Sequence, residues 1–386
     1  MKILHLTHTD VRVDSRILKE LSALQAAGEY ELYAIGMAEY GGVSGVNVLH
    51  SAQVRSIRLF FRSFRWMLGP VRHVLIYLEM LLRVLVAGLR LRPSLVHCHD
   101  TPLLPVSVLL AWLCRAKMIY DAHELESDKN GQTWLVSRMT YLLEKACWGG
   151  VDGFVTVSRS IMRWYESRFA SRESELVLNS PVITATTQAA TQTERCFHRK
   201  YSIPDQCLVF VYLGLFVPGR GIEKLLQVFA AKDVQAHIVF VGRGPLREML
   251  ERSALTNLRV HVHDAVPHDQ VVSLIRSADY GVCLVENVSL SDYYSLPNKL
   301  FEYAFAGVPV LASDFPDMQE LVERFSLGTC TAGDKEAITQ AVISLQVAGQ
   351  HRVTADLAAL GWGQQADHLR ALYQRLLHHH IVRQSR

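Results

Sequence analysis

The order of its apolar runs restricts this chain most. Short apolar runs alternate with stretches of helical period along nearly all of its 386 residues. In the first half the runs predict strands over Ile3–Leu6, Glu31–Ile35, Leu95–Cys98, Met118–Asp121, Phe154–Val157 and Leu176–Leu178. In the second half they predict strands over Leu208–Leu213, His237–Val241, Arg259–Val262, Gly281–Leu284 and Val308–Ala312. Most are apolar throughout, as parallel strands covered on both faces must be. Strand followed by helix, repeated, gives parallel sheets. Residues 183–200 lose apolar periodicity and read as a linker. The expected fold is α/β: two doubly wound, Rossmann-like domains facing a cleft, over residues 1–182 and 201–360. With 49% hydrophobic residues the chain can fill both cores.

Charge and cysteine usage remove several functions. A net charge of +3 gives no general attraction to nucleic acid. Seven cysteines stand singly, without paired spacing, which argues against a disulfide framework or a zinc site and suggests a reducing cytoplasm. The opening "MKILHLTHTD" does not read as a signal peptide, and no apolar stretch reaches the length of a bilayer span.

Polar residues gather where the predicted strands end: His8 and Asp10, His99 and Asp100, His123 and Glu124. In open α/β sheets ligands bind at those carboxyl ends. In the second half, "VYLGLFVPGRGIEKLL" brings Gly219 and Gly221 to a strand-to-helix turn, where backbone N–H groups can approach an anion and Arg220 adds charge. It misses the P-loop pattern, because Arg220-Gly221 replaces Lys-Ser/Thr; a nucleotide-hydrolysing enzyme is therefore rejected. No GxGxxG opens either domain, which weakens a redox reading. "VGRGPLREML" places Gly244 in a second such turn. "SLPNKLFEYAFAGVPVLASD", residues 295–314, predicts a helix opened by Pro297 and closed at Gly307. Lys299 in its first turn costs about 0.3–1 kcal/mol against the helix dipole unless an anion sits there. Glu302, one turn on, suits two vicinal hydroxyls such as a ribose diol.

These stretches resemble glycosyltransferase family 4, of the GT-B fold. The likeness is carried by "DSRILKELSALQAAGEYEL", "LVHCHD", "YDAHE", "VDGFVTVS", "YLGLFVPGRGIEKLL", "IVFVGRGP", "ADYGVCL" and "SLPNKLFEY", in that order. It implies sugar transfer from a nucleoside diphosphate sugar, with retention and without a metal; no Asp-x-Asp motif is present. It places Glu302 on the ribose, and Lys299, Arg220 and the backbone of Ser295, Leu296, Pro297 and Asn298 at the diphosphate. It sets His99 beside the transferred sugar and His8, Asp10, Asp14 and Arg16 along the cleft, with residues 361–386 crossing back to the first domain. Two positions depart from the family pattern: Tyr294 where many members carry a glutamate, and Leu215 where many carry an arginine. They keep open a catalytically silent nucleotide-sugar-binding subunit; a sugar-nucleotide epimerase of the same fold is a further alternative.

Residues 55–68, "RSIRLFFRSFRWML", place Arg55, Arg58, Arg62 and Arg65 at helical spacing opposite Phe61 and Phe64. From 55 to 92 there are eight arginines and one acidic residue. The expectation is a basic amphipathic helix on an anionic membrane surface. A peripheral enzyme at the cytoplasmic face, with a glycan or lipid-linked acceptor, would follow.

Overall fold

The computed structural model describes residues 1–26, 28–39, 44–64, 66–182 and 195–384. Arg65 and most of the expected linker, 183–194, lie outside them. The chain divides into two compact units, Met1–Val177 with Gln365–Arg386, and Leu178–Gln364.

The first unit is built on an eight-stranded sheet in the order β3-β4-β2-β1-β5-β6-β7-β8. Its strands are β1 (Lys2–Leu6), β2 (Glu31–Met37), β3 (Gly45–Leu49), β4 (Ala52–Ile57), β5 (Leu95–His99), β6 (Lys117–Ala122), β7 (Gly153–Thr156) and β8 (Glu173–Leu176). All pairs are parallel except the β3–β4 hairpin. Helix α1 (Ser15–Ala26) leads outward from β1 to β2. Helices α2 (Gly69–Leu91), α3 (Leu104–Cys114) and α4 (Trp134–Cys147) step the opposite way across the sheet, and α5 (Arg159–Glu166) follows β7. Right-handed crossovers in opposite directions put α1 and α2–α4 on opposite faces. Side chains agree: Tyr120 of β6 reaches Glu144 of α4, while its neighbour Asp121 reaches Arg16 of α1.

The basic helix expected over 55–68 does not form. Ala52, Val54 and Ser56 are buried while Gln53 and Arg55 are exposed, a period of two, and β4 pairs with both β2 and β3. Strand pairing on two sides outweighs an arginine spacing that no partner reads. A single 3₁₀ turn, Phe61–Ser63, follows. The Phe60 and Phe61 N–H groups donate to Glu79 of α2, and Arg62 donates to the Ala38 carbonyl at 2.8 Å.

The second unit holds a six-stranded parallel sheet, β11-β10-β9-β12-β13-β14. Its strands are β9 (Val209–Leu215), β10 (His237–Arg243), β11 (Val260–Asp264), β12 (Tyr280–Cys283), β13 (Val310–Ser313) and β14 (Gly328–Thr331). Its helices are α6 (Cys196–Tyr201), α7 (Ile222–Phe229), α8 (Arg247–Thr256), α9 (His268–Ile275), α10 (Leu290–Tyr293), α11 (Asn298–Phe305), α12 (Pro316–Arg324) and α13 (Lys335–Ala348). The last helix, α14 (Trp362–Gln384), lies mostly within the first unit. Gly281 of β12 is glycine for a packing reason: a Cβ there would lie 2.4 Å from the Tyr303 ring. That close approach lets the Tyr303 hydroxyl bond the backbone of Val211, Leu213 and Val282, locking α11 onto β9 and β12.

Candidate functional site

Each sheet reverses its strand order once, between β1 and β5 in the first unit and between β9 and β12 in the second. Loops diverge at such a switch point and leave a crevice at the carboxyl ends. Several sequence-predicted residues, His8, Asp10, Asp100, Gly219, Arg220 and Gly221 among them, fall on those loops, but the two crevices are built differently.

In the second unit, the turn after β9 runs through Gly214, Gly219 and Gly221, all at positive φ (132°, 81° and 71°). Gly221 caps α7 and Pro297 caps α11, and neither helix has a side-chain cap. Their first N–H groups are thus left for a ligand. Lys299 projects from the first turn of α11. Its ammonium lies over the Tyr212 ring, 3.9 Å from the centroid, and has no carboxylate partner among the described residues. Burial, with Arg220 nearby, draws its pKa down to about 8, against the opposing pull of Cys283 and Glu302. An entering anion would reverse that shift.

Arg220 is engaged: its Nη1 lies 3.1 Å from Asp292 Oδ1. Asp292 is held in turn by the Ser289 hydroxyl, and its carbonyl accepts from Ser295 Oγ at 2.7 Å. Glu286 pairs with Lys224 at 3.1 Å. Neither carboxylate is therefore left over to replace the glutamate missing at Tyr294. Leu215, the other departure, is exposed at the end of β9. Glu302 and Leu296 are buried, Ser295 and Pro297 half-buried and Asn298 exposed. Gly244 has a packing cause, since a Cβ would lie 2.5 Å from the Phe216 carbonyl oxygen.

The first unit keeps most of its polar residues to itself. Its strands carry histidines two apart, which places them on one face of the sheet. His5 and His97 stand opposite each other, as do His99 and Asp121. His5 Nδ1 bonds His99 Nε2 at 3.0 Å, and His99 Nδ1 bonds His123 Nε2 at 3.1 Å. Tyr373 of α14 closes the row on His97 and His5. Arg16 binds Asp121 through two nitrogens at 3.0 Å and also donates to the Val177 carbonyl. His99 was expected beside the sugar, yet it is 0% exposed with both ring nitrogens bonded. Arg16 was expected along the cleft, yet it is buried inside the same network. Neither is exposed to a ligand in this conformation. Asp14 holds the start of α1, accepting from Arg16 and Ile17 N–H groups, and Asp10 holds Arg12.

The network reaches the surface at His123, His8 and Asp100. Asp100 has φ 62° and ψ 164°, a backbone region that is essentially glycine's alone and costs about 1–3 kcal/mol. Its carboxylate lies 3.5 Å from His123 Nδ1 and 3.8 Å from His8 Nδ1. Burial opposes charge on His123, but Asp100 and Asp121 outweigh it and raise its pKa to about 9. Glu124 is exposed, 4.0 Å from Lys129. Sequence reading passed over Glu20, Asp121 and Tyr373. The alternate histidines of "VHCH", His97 and His99, were the available signal: polar residues two apart on a covered strand face the same way and must find partners in the interior.

Among the described residues two groups could offer ligand atoms to a metal, His5, Glu20, His97 and His99, and His99, Asp121 and His123. Arg16 Nε already lies 3.1 Å from Glu20 and 3.0 Å from Asp121, one cation shared by two carboxylates, and burial with Asp121 beside it raises the Glu20 pKa to about 7.

Comparison with known proteins gives concordant results. Residues 15–180 match the glycosyl transferase 4-like domain, and residues 207–347 match the glycosyl transferases group 1. The chitobiosyldiphosphodolichol beta-mannosyltransferase of Kluyveromyces lactis is 25% identical over 279 residues, 63% of this chain. That match spans only 60% of the relative's length. Among solved structures, sucrose-phosphate synthase from Thermosynechococcus elongatus superposes with a TM-score of 0.73 at 16% identity, over 98% of this chain and 99% of that one. Anabaena Alr3699/HepE in complex with UDP-glucose gives 0.64 at 13% identity, over 97% and 95%. The trehalose 6-phosphate synthase of Burkholderia multivorans gives 0.69 at 13% identity, over 99% and 98%.

Proposed function

The chain belongs to the glycosyltransferases of the GT-B fold, and from that premise we propose that it moves a sugar from a nucleoside diphosphate sugar to a glycan or lipid-linked acceptor beside a membrane. One observation carries the donor half of this reading: Lys299 stands without a counter-ion on an uncapped helix, at the switch point of the second sheet. The uncapped starts of α7 and α11 supply further N–H groups, and Arg220 lies on the same loop. These groups are set where charge grows as the nucleoside diphosphate departs, and preorganised donors of this kind stabilise such a transition state. Glu302 takes the ribose hydroxyls. The reaction retains anomeric configuration, with the departing phosphate helping to deprotonate the acceptor, and it runs without a metal. In the first unit, His123, His8 and Asp100 present the polar groups that receive the acceptor.

The lipid-linked acceptor is supported by the relative whose name joins mannosyl transfer to a dolichol diphosphate chitobiose. Polysaccharide or glycoconjugate assembly at the cytoplasmic face is the corresponding role. Titration with UDP-, GDP- and ADP-sugars tests the donor half. One of them at 100 times its dissociation constant should stabilise the fold by about 2.7 kcal/mol. No stabilisation by any donor would overturn the assignment. A second reading, a silent binding subunit, is favoured by Tyr294 and Leu215; donor binding without transfer or donor hydrolysis would select it.

A further inference from the structure

The helices on the outer face of the first sheet have a surface unlike that of a helix turned to water. On α2, Val71, Val74, Leu78, Leu82, Val86 and Leu89 are all exposed. Their spacing of three and four makes one stripe, about 27 Å long at the rise of an α-helix. Helix α3 packs close beside it: a Cβ on Gly88 would lie 2.3 Å from Leu110. From α3 come exposed Leu109 and Trp112, and from α4 exposed Trp134 and Met139. Three tryptophans, Trp66, Trp112 and Trp134, are 81%, 75% and 78% exposed. Single exposed apolar residues need no explanation, but a continuous layer rimmed by charge marks an interaction surface.

Charge identifies the occupant. The three helices carry two carboxylates, Glu79 and Glu144, and both are withdrawn from solvent. Glu79 binds Arg83 and the Phe60 and Phe61 N–H groups, and Glu144 binds Tyr120 and Tyr165. The exposed charges of these helices are Arg83, Arg90, Arg138 and Lys145. Apolar residues, tryptophans and cations without exposed carboxylates are complementary to an anionic lipid surface. A second copy of the same face would bring cation against cation. Among the described residues no helix is long and apolar enough to cross a membrane. We propose that α2, α3 and α4 form an interfacial docking surface that lies on an anionic bilayer, with α2 in its plane. This rests on the proposed membrane-adjacent acceptor and moves the contact from residues 55–68 to these three helices.

The test uses the whole chain and vesicles of phosphatidylcholine with and without phosphatidylglycerol. Co-sedimentation should be stronger with the anionic lipid and weaken with salt. The exposed double change Leu78→Glu with Leu82→Glu should lower the partition by about tenfold or more. Trp112→Glu, on a different helix, should lower it too while the melting temperature holds. Equal binding by both variants would overturn the proposal. So would failure of the parent chain to bind anionic vesicles, or a lipid-free dimer that these changes dissociate. Donor binding, measured without lipid, should be the same in parent and variants. If no donor binds but anionic vesicles do, the transferase reading fails while the docking surface stands.

Discussion

The two switch points are built from similar strands and helices but handle their charges in opposite ways. In the first unit Arg16, Asp121, Glu20 and the histidines crowd against one another, with the Glu20 carboxylate and His97 Nε2 short of hydrogen bonds among the described residues, and little beyond Asp100, His8 and His123 reaches solvent. In the second unit a lysine has no anion, and two helix starts have no cap. A buried network whose members pair mainly with one another fixes geometry. A crevice with one lysine lacking a carboxylate partner among the described residues, and with uncapped N–H groups, is ready for an anion. Polar residues at strand ends therefore mean different things in the two halves.

The largest effect should come from opening the closed network. Arg16→Met strands two carboxylates inside the first unit and should cost about 3–5 kcal/mol of stability, read by chemical denaturation. A loss under 1 kcal/mol would mean that the network is not tightly coupled. Next comes the open crevice: Lys299→Ala should lower turnover about 10²–10³-fold at saturating donor while leaving stability nearly unchanged. Donor affinity should also be full below about pH 8 and decline above it, because the free ammonium titrates there and the donor holds the proton on. That decline should vanish in Lys299→Ala. The smallest effect concerns Asp100. His123 has a folded pKa of about 9 against an ordinary 6.5, so its contribution to stability is complete below about 6.5 and lost as pH rises through 9. Asp100→Gly should lower the His123 pKa, followed by NMR titration, and flatten that decline while relieving the backbone at residue 100. An unchanged titration would break the proposed pairing.

Much of the fold was legible because both sheets obey one rule, covered parallel strands joined by helices. The anion-side helix was legible too, from Pro297 and Gly307. Three strands escaped. Gly328–Thr331 has almost no apolar content, Gly45–Leu49 is an edge strand exposed along most of its length, Val46 and Val48 included, and the outward residues of Ala52–Ile57 are polar or charged. Of the arginines at helical spacing only Arg55 lies in the β3–β4 hairpin, and their spacing arose by chance. His99 was misplaced because a histidine ending a strand reads alike whether it faces a ligand or the interior. Only its neighbours in space, Glu20 of α1 and His5 of β1 among them, decide the matter, and neither is near it in sequence.

Tyr373 belongs to the last helix, yet its hydroxyl bonds His97 and His5 in the interior of the first unit. During synthesis, the half of the protein that leaves the ribosome first cannot finish its own interior until the final helix has emerged. The second unit is complete in sequence before that moment and is free to fold ahead of it. Birth order and order of completion are thus reversed, and a chain cut short before residue 365 would leave a row of histidines without its lid.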